Sequence, residues 1–294
     1  MLGLCLIWGV QQVLIKVAAP DISPVMQAMA RSGISALLVG LVICWKGGWD
    51  QVPYTWRGGL LAGSLFGLEF FFIAQGLHLT SAAHMSVFLY TAPLFTALGV
   101  NWLLPSERLR PLQWLGIFLA FLGIAFSFAG GMSFADMDPD VLLGDAYGVL
   151  AGMAWGVTTV VVRGSRLSEA PVTLTLFYQL IVGFIGLLVI ALATGQITHF
   201  SFTGLAIGSV LFQGLVVSFF SYLMWFWLLK RYLASNLAVF SFMTPLFGVT
   251  FGVLILDEPL SFNFAVGAVL VLLGITFVSA EQWVRRKVRA LLQN

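Results

Sequence analysis

The sequence predicts an all-α integral membrane protein, with ten transmembrane helices arranged as two inverted-topology five-helix repeats around a central cavity. Composition is the first reason: hydrophobic residues make up 60% of the 294 residues and charged residues only 9%, against about 25% in soluble domains. The mean hydropathy is +1.00. The other reasons are the recurrence of apolar stretches long enough to cross a bilayer and the similarity of the second half of the chain to the first.

The same composition excludes several classes of function. The 14 basic and 12 acidic side chains cannot cover the surface of a soluble enzyme of this size. A net charge of +2 gives no attraction for a polyanion, so no nucleic-acid partner is expected. Cys5 and Cys44 lie in apolar stretches as small hydrophobic residues. The sequence contains neither a His-Glu-x-x-His motif nor a Walker A loop, and we expect no cofactor and no metal site.

Ten apolar stretches, separated by charges or by proline and glycine, define the predicted spans. The first of them has neither a basic leader nor a clear cleavage site, so we expect it to be a retained helix rather than a secretion signal. The predicted spans are residues 3–19, 25–45, 58–77, 83–104, 112–129, 146–162, 172–193, 203–228, 236–256 and 263–281.

The distribution of charge predicts the orientation, because short cytoplasmic loops are rich in lysine and arginine. With the N-terminus in the cytoplasm, twelve of the fourteen basic residues fall on the cytoplasmic side. The charged residues on the opposite side are all acidic: Asp21, Asp136, Asp138, Asp140, Asp145, Asp257 and Glu258. Ten spans with both termini in the cytoplasm follow from this asymmetry.

An internal repeat divides the chain into two halves. Trp8, Lys16 and Pro24 recur at the same spacing as Trp155, Arg163 and Pro171. Five helices per half make the second copy enter the membrane from the opposite side. Such inverted repeats are typical of secondary transporters, which bind substrate near the midplane between the copies. The predicted units are a first repeat over 1–131, a periplasmic acidic linker over 132–144, a second repeat over 145–281 and a basic cytoplasmic tail over 282–294.

Three motifs give the chain a resemblance to a known family. They are L-I-W-G-V…I-K from Leu6 to Lys16, A-P-L-F…E-R-L from Ala92 to Leu109, and T-P-L-F…D-E-P-L from Thr244 to Leu260. The sequence resembles the drug/metabolite transporter superfamily with two EamA-type repeats. The resemblance implies a cavity lined mainly by helices 1–4 and 6–9, with helices 5 and 10 as supports. It also implies alternating access in the bacterial inner membrane, for small metabolites such as amino acids and commonly in the export direction.

Ionisable side chains inside the spans are costly in lipid and therefore face a protein interior or a water-filled cavity. Arg31 on helix 2 and Glu69 on helix 3 lie at comparable depths, so we expect an ion pair between them, either direct or through a bound substrate; a purely structural pair is the alternative. Glu69 is the candidate for proton coupling. Lys16 lies near a helix end, where it either snorkels to the interface or reaches the substrate.

Polar and aromatic side chains at similar depths complete the candidate site. Together they favour a zwitterionic or amphipathic solute, although each could instead form a structural hydrogen bond between helices. Pro93 and Pro245, at equivalent mid-helix positions, are candidate hinges. The candidate substrate-binding residues are Trp8, Gln11, Gln12, Gln27, Arg31, Glu69, Tyr90, Trp155, Tyr178, Gln213 and Tyr222.

Other functions remain open at this stage. Within transporters the alternatives are multidrug efflux and nucleotide-sugar exchange, and the latter needs more cations in the cavity than Arg31 and Lys16. A channel is a further alternative, whereas nothing in the sequence supports an intramembrane enzyme. The expected partners are a small-molecule substrate and membrane lipid, with the protein a monomer or weak homodimer.

Glycines at four-residue spacing, such as Gly59 and Gly63, predict close packing between helices.

Overall fold

The computed structural model describes residues 1–103, 111–128, 138–198, 200–231 and 243–292. Helices account for nearly all regular structure in these ranges, which hold no β-strand beyond one isolated bridge between Ile22 and Phe200. The helices are α1 (Leu2–Ala18), α2 (Pro24–Lys46), α3 (Val52–Leu79), α4 (Ala82–Leu89), α5 (Ala92–Leu103), α6 (Pro111–Phe128), α7 (Pro139–Gly164), α8 (Val172–Ala193), α9 (Gly204–Leu211), α10 (Tyr222–Arg231), α11 (Met243–Leu256) and α12 (Phe262–Leu292).

Several of these helices have the length and composition of membrane spans. Their outward faces carry large apolar side chains such as Trp102, which is 88% exposed, as expected where lipid is the solvent. Within the described ranges, six segments are long and apolar enough to cross a bilayer: Pro24–Lys46, Trp49–Leu79, Ala82–Leu103, Pro139–Gly164, Val172–Ala193 and Gly204–Trp225. Shorter apolar helices are Leu2–Ala18, Pro111–Ile124, Met243–Leu256 and Phe262–Phe277. The all-helical, membrane-spanning class is confirmed, whereas the count of ten spans stays a prediction.

Some helix limits differ from the predicted ones for local reasons. Helix α7 begins at Pro139 rather than at residue 146, because Asp138 accepts a hydrogen bond from the amide of Asp140 and proline suits the first helical turn. The second half of the predicted 132–144 linker is therefore helical, and residues 132–137 lie outside the described ranges. Helix α12 continues to Leu292, so the described part of the predicted tail is also helical.

The fourth predicted span is broken in the middle. Helix α4 ends at Leu89, Tyr90 and Thr91 form a turn, and α5 begins at Ala92. The Thr91 hydroxyl donates a hydrogen bond of 2.7 Å to the carbonyl oxygen of Phe88. Pro93 therefore lies in the first turn of a helix, where its missing amide hydrogen does no harm, and not in a mid-helix position. Pro245 is the third described residue of α11, and the residues that precede Met243 lie outside the described ranges, so its mid-helix position stays a prediction. Their hinge role stays a prediction.

The eighth predicted span has an unusual centre. A π-helical segment, Phe212–Ser221, joins α9 to α10. Wider helical turns of this kind occur mostly in short stretches and frequently at functional sites. This π segment carries Gln213, one of the candidate site residues, and α10 begins with another, Tyr222.

The helices pack in two bundles. In the first bundle α3 packs against α7 and α8, and α4 and α5 pack against α7. In the second bundle α1 packs against α11, and α2 packs against the π segment. The two bundles meet where α2 contacts α8 and where α4 contacts α11, while α6 packs along α12.

Glycine permits the close approach of α3 to α8. A Cβ atom added to Gly63 would lie 2.5 Å from the carbonyl oxygen of Tyr178 and 2.6 Å from Cβ of Val182.

We expect Gly63→Ala to lower the free energy of unfolding by about 1–3 kcal/mol through overpacking, measured by denaturant or thermal unfolding in detergent. The control is Gly208→Ala, because a Cβ there meets nothing within 4 Å. Equal stability of the two variants would contradict this packing.

Candidate functional site

Arg31 is the centre of the candidate site. The side chain is 0% exposed, and in the described part of the chain its three guanidinium nitrogens form no hydrogen bond of standard geometry, although the side chains of Tyr222 and Glu69 interact with its charge. Its guanidinium carbon lies 3.6 Å from the centre of the Phe70 ring. A buried guanidinium that contacts an aromatic ring but forms no salt bridge with any described residue is energetically unfavourable, so its presence points to a ligand.

The predicted direct ion pair between Arg31 and Glu69 is not formed. Among the described residues, the salt bridges are Lys16–Glu258 and His84–Asp145. Successive residues of an α-helix point about 100° apart, and Phe70 rather than Glu69 takes the position against the guanidinium. Glu69 is nevertheless only 6% exposed and interacts with Arg31 electrostatically, as does Tyr222. The alternative of a pair bridged by substrate therefore stays open.

Further polar atoms on neighbouring helices are buried without hydrogen-bond partners among the described residues. They include the side-chain oxygens of Gln12, Gln213 and Ser218. The π segment that carries Gln213 and Ser218 is tied to α2 by a hydrogen bond of 2.8 Å from the Ser35 hydroxyl to the carbonyl oxygen of Gly214. Orphaned buried polar atoms are rare in proteins and mark sites for water or ligand.

Each of the two bundles contributes a pair of aromatic candidate side chains. The Trp8 indole donates a hydrogen bond of 2.8 Å to the Ser221 hydroxyl and meets Trp225 edge to face at 5.8 Å. Tyr90, in the turn between α4 and α5, meets Trp155 of α7 edge to face at 5.4 Å. The first pair belongs to the second bundle and the other pair to the first bundle. Gln11 and Gln12 are both buried on α1.

Gln27, one of the candidate substrate-binding residues, is used in structural contacts. The Gln27 amide donates to the carbonyl oxygens of Ile15 at 2.9 Å and Ile22 at 3.0 Å. Its oxygen accepts hydrogen bonds from Ser209 at 2.9 Å and from Gln213 at 2.7 Å. Every hydrogen-bonding position of Gln27 is therefore occupied, which favours the structural alternative over substrate binding.

Tyr178 also makes a contact between helices. Its hydroxyl lies 3.2 Å from that of Thr55, near the start of α3, and its ring covers Gly59.

We expect Tyr178→Phe to leave the KM for transport unchanged. The matched variant Tyr222→Phe removes a hydroxyl beside Arg31 and is expected to raise KM about tenfold. Counterflow kinetics in proteoliposomes compare the two, and an effect confined to Tyr178→Phe would contradict the assignment.

Lys16 and Glu258 form a polar cluster that was not predicted from the sequence. The Lys16 ammonium lies 3.1 Å from a carboxylate oxygen of Glu258 and donates to the carbonyl oxygen of Thr80 at 2.9 Å. Glu258 also accepts hydrogen bonds from the amides of Ala82 at 2.7 Å and Ala83 at 3.0 Å. Lys16 thus binds protein groups rather than snorkelling to the interface. Glu107 of the A-P-L-F…E-R-L motif and Glu258 of the T-P-L-F…D-E-P-L motif occupy corresponding places in the two halves of the chain, which was the available signal, and Glu107 lies outside the described residues.

A second polar cluster adjoins the first. The His84 ring nitrogen lies 2.8 Å from a carboxylate oxygen of Asp145, and the Thr80 hydroxyl donates to the same carboxylate. The His84 ring stacks on Phe264 at 3.8 Å. These contacts hold the turn between α3 and α4 against α7. Within the described ranges, no group of three or more metal-ligating side chains is present.

Two apolar cavities lie beside α2. One of 210 Å³ is lined by residues of α2 and α9, including Met26 and Val210. The other, of 710 Å³, is lined by residues of α2 and α8, including Gly33 and Phe184. Arg31 lines neither cavity and is inaccessible to water. A substrate could therefore reach it only after helices separate.

A multi-pass helical membrane protein with a buried, unsatisfied cation between two helix bundles has the features of a membrane transporter. Comparison with protein families makes the class specific. The chain belongs to the EamA-like transporter family, whose model matches residues 1–129 and 142–280. The protein is therefore a transmembrane transporter of the drug/metabolite transporter type and not an enzyme.

Curated relatives agree with this family. An uncharacterized transporter, YoaV, of Bacillus subtilis (strain 168) is 26% identical over 98% of each chain. A probable amino-acid metabolite efflux pump of Salmonella typhimurium is 23% identical, over 92% of this chain and 90% of its own. A protein of known crystal structure, 20% identical, superposes with a TM-score of 0.63 over 96% of this chain and 95% of its own, which supports the fold.

Proposed function

We propose that the protein is a secondary transporter that exports a small zwitterionic metabolite, an amino acid or a related compound, across the bacterial inner membrane by alternating access. The unsatisfied guanidinium of Arg31 is the observation that carries the proposal. A carboxylate is the ligand that best matches it, because it can accept two parallel hydrogen bonds from one guanidinium. Phe70 covers one face of the guanidinium and leaves its N–H groups, which lie in the guanidinium plane, for the ligand.

The neighbouring groups suit the rest of a zwitterion. Glu69, buried and not paired directly with Arg31, can accept an ammonium group or a proton. Aromatic rings such as Trp8 and Tyr90 can contact an apolar side chain or a cation. The amino-acid metabolite efflux pump among the relatives supports an amino-acid substrate and the export direction.

The helix contacts support the inverted-repeat arrangement. If the first five spans correspond to the last five, the contact of α1 with α11 corresponds to that of α4 and α5 with α7. The contact of α2 with the π segment likewise corresponds to that of α3 with α8, and the pair α6–α12 maps onto itself. In this arrangement ten helices cross the membrane, both termini are cytoplasmic, and Arg31 lies between the two copies.

Rival transport functions fit the site less well. Nucleotide-sugar exchange needs several free cations for phosphate groups, but the ammonium of Lys16 is bound to Glu258 and Thr80. A multidrug transporter needs a wide apolar cavity around its site, whereas Arg31 is enclosed. A channel needs a continuous path, and a fully buried Arg31 favours a carrier that opens to one side at a time.

Counterflow in proteoliposomes tests the proposal. Purified protein is reconstituted into vesicles preloaded with one amino acid, and uptake of the labelled amino acid is measured for a panel that covers apolar, aromatic and polar side chains. We expect saturable uptake that the internal substrate stimulates for at least one member. Flux that neither saturates nor responds to internal substrate would indicate a channel. An absence of uptake across the whole panel would contradict the substrate class.

A further inference from the structure

We propose that Lys16 and Glu258 form a clamp that closes the transport site on the side of the membrane that the charge pattern places outside. The inference rests on the proposed alternating access. In this proposal the clamp holds the turn between α3 and α4, residues 80–83, in the closed state and releases it in the outward-open state.

The contacts of the clamp run between the two bundles. Lys16 lies in the last turn of α1 and Glu258 lies two residues after the end of α11, so both belong to the second bundle. Their partners, the carbonyl oxygen of Thr80 and the amides of Ala82 and Ala83, belong to the first bundle. The ion pair between Lys16 and Glu258, at 3.1 Å, places the two charges beside each other so that one binds the carbonyl and the other binds the amides.

The turn that the clamp holds is itself rigidly attached to the first bundle. The Thr80 hydroxyl and the His84 ring both bind Asp145 of α7. Release of Lys16 and Glu258 therefore moves the turn together with α3, α4 and α7, instead of unravelling it. Because the charged groups are largely buried, with side-chain exposures of 32% for Lys16 and 7% for Glu258, water weakens their contacts only in part.

The location of the clamp makes it a barrier to Arg31. On α2, Arg31 lies seven residues beyond Pro24, or about 10 Å along the axis at 1.5 Å per residue. The start of α2 is joined to the end of α1 through Gln27, which binds the carbonyl oxygen of Ile15, the neighbour of Lys16. Separation of α1 from the turn thus opens a path beside the first turns of α2 toward the site.

Labelling of a reporter thiol tests the clamp without any substrate. Ser32, which is 0% exposed and follows Arg31 in the chain, is replaced by cysteine in a Cys5→Ala, Cys44→Ser background. Right-side-out vesicles are treated with a membrane-impermeant maleimide, and the rate of modification is measured. We expect Lys16→Met and Glu258→Gln each to raise this rate about tenfold, which corresponds to about 1.4 kcal/mol.

Two further variants sharpen the test. Asp140→Asn removes one charge from the same side of the protein at an exposed position and is expected to label at the parent rate. In the exchange Lys16→Glu with Glu258→Lys the opposite charges remain, but each faces a backbone group of the wrong polarity. We expect this variant to label as fast as the single variants, whereas restoration of the slow rate would show that the ion pair alone matters and would overturn the clamp.

The single variants also separate opening from misfolding. Lys16→Met leaves the carboxylate of Glu258 on the amides of Ala82 and Ala83, so we expect the variant to stay folded, with an unfolding temperature below that of the parent because the carboxylate loses its cation. Labelling of both single variants at the parent rate would overturn the proposal, whatever the protein transports. Faster labelling combined with a failure of amino-acid counterflow would instead retain the clamp and reject the proposed substrate.

Discussion

Replacement of Arg31 by methionine is expected to lower counterflow of a carboxylate-bearing substrate about 100-fold without unfolding the protein. A hydrogen bond to a charged group is worth about 1.5–3 kcal/mol, and a bidentate contact between guanidinium and carboxylate makes two of them. The loss of this contact falls on substrate binding, because in the described part of the chain Arg31 forms no salt bridge and no hydrogen bond of standard geometry. The measurement is counterflow by the purified variant in proteoliposomes.

The stability of the same variant distinguishes a ligand site from a structural cation. Methionine replaces a buried charge, which forms no salt bridge with any described residue, by an apolar side chain of similar length, so the free energy of unfolding should not fall. The control is Arg57→Met, which removes an exposed guanidinium that lies over the Trp56 ring, and it should transport normally. A strong loss of stability in Arg31→Met, with transport by the remaining folded protein intact, would contradict the role of Arg31.

Replacement of Glu69 by glutamine is expected to abolish accumulation driven by a proton gradient while exchange persists. If Glu69 carries the coupling proton, glutamine fixes the site in a neutral form, and the carrier then only equilibrates its substrate. The accumulation ratio should fall to about one, whereas counterflow, which needs no net proton movement, should persist, slowed about tenfold because glutamine accepts the substrate's ammonium group less strongly than glutamate. Both are measured in vesicles with and without an imposed gradient.

The control for coupling is Glu169→Gln, which changes an exposed acidic residue in the loop between α7 and α8. It should accumulate substrate as the unchanged protein does. Accumulation by Glu69→Gln that still responds to the gradient would remove Glu69 as the coupling residue. Transport by the unchanged protein that is indifferent to the gradient would indicate facilitated diffusion.

The membrane class could be predicted from the sequence because the hydropathy of a chain depends on whether water or lipid surrounds the folded protein. Some local details could also have been predicted. Asp138 followed by Pro139 is a good start for helix α7, but the prediction relied on apolar composition alone and placed the start of this helix later. The break at Tyr90 and Thr91 was predicted as a bend, because proline shows that a helix is interrupted but not whether it bends or begins again.

Contacts between distant residues were harder to predict. Depth in the membrane brought Arg31 and Glu69 to the same level, but the rotation of α3 that presents Phe70 to the guanidinium depends on packing against α7 and α8. The attachment of Lys16 to Glu258 joins residues from opposite ends of the chain. A charge pattern could place both on one side of the membrane but could not show that they meet over the turn between α3 and α4.

Recognition of a carboxylate by Arg31 is the central claim, and competition by an amino acid and its amide tests it most directly. The amide keeps the side chain and the ammonium group but lacks the negative charge. Each is added to the counterflow assay of the wild-type protein and of Arg31→Met. We predict that the amino acid inhibits wild-type uptake at about 100-fold lower concentration than its amide and that Arg31→Met loses this preference. Equal inhibition of wild-type uptake by the two compounds would contradict the account.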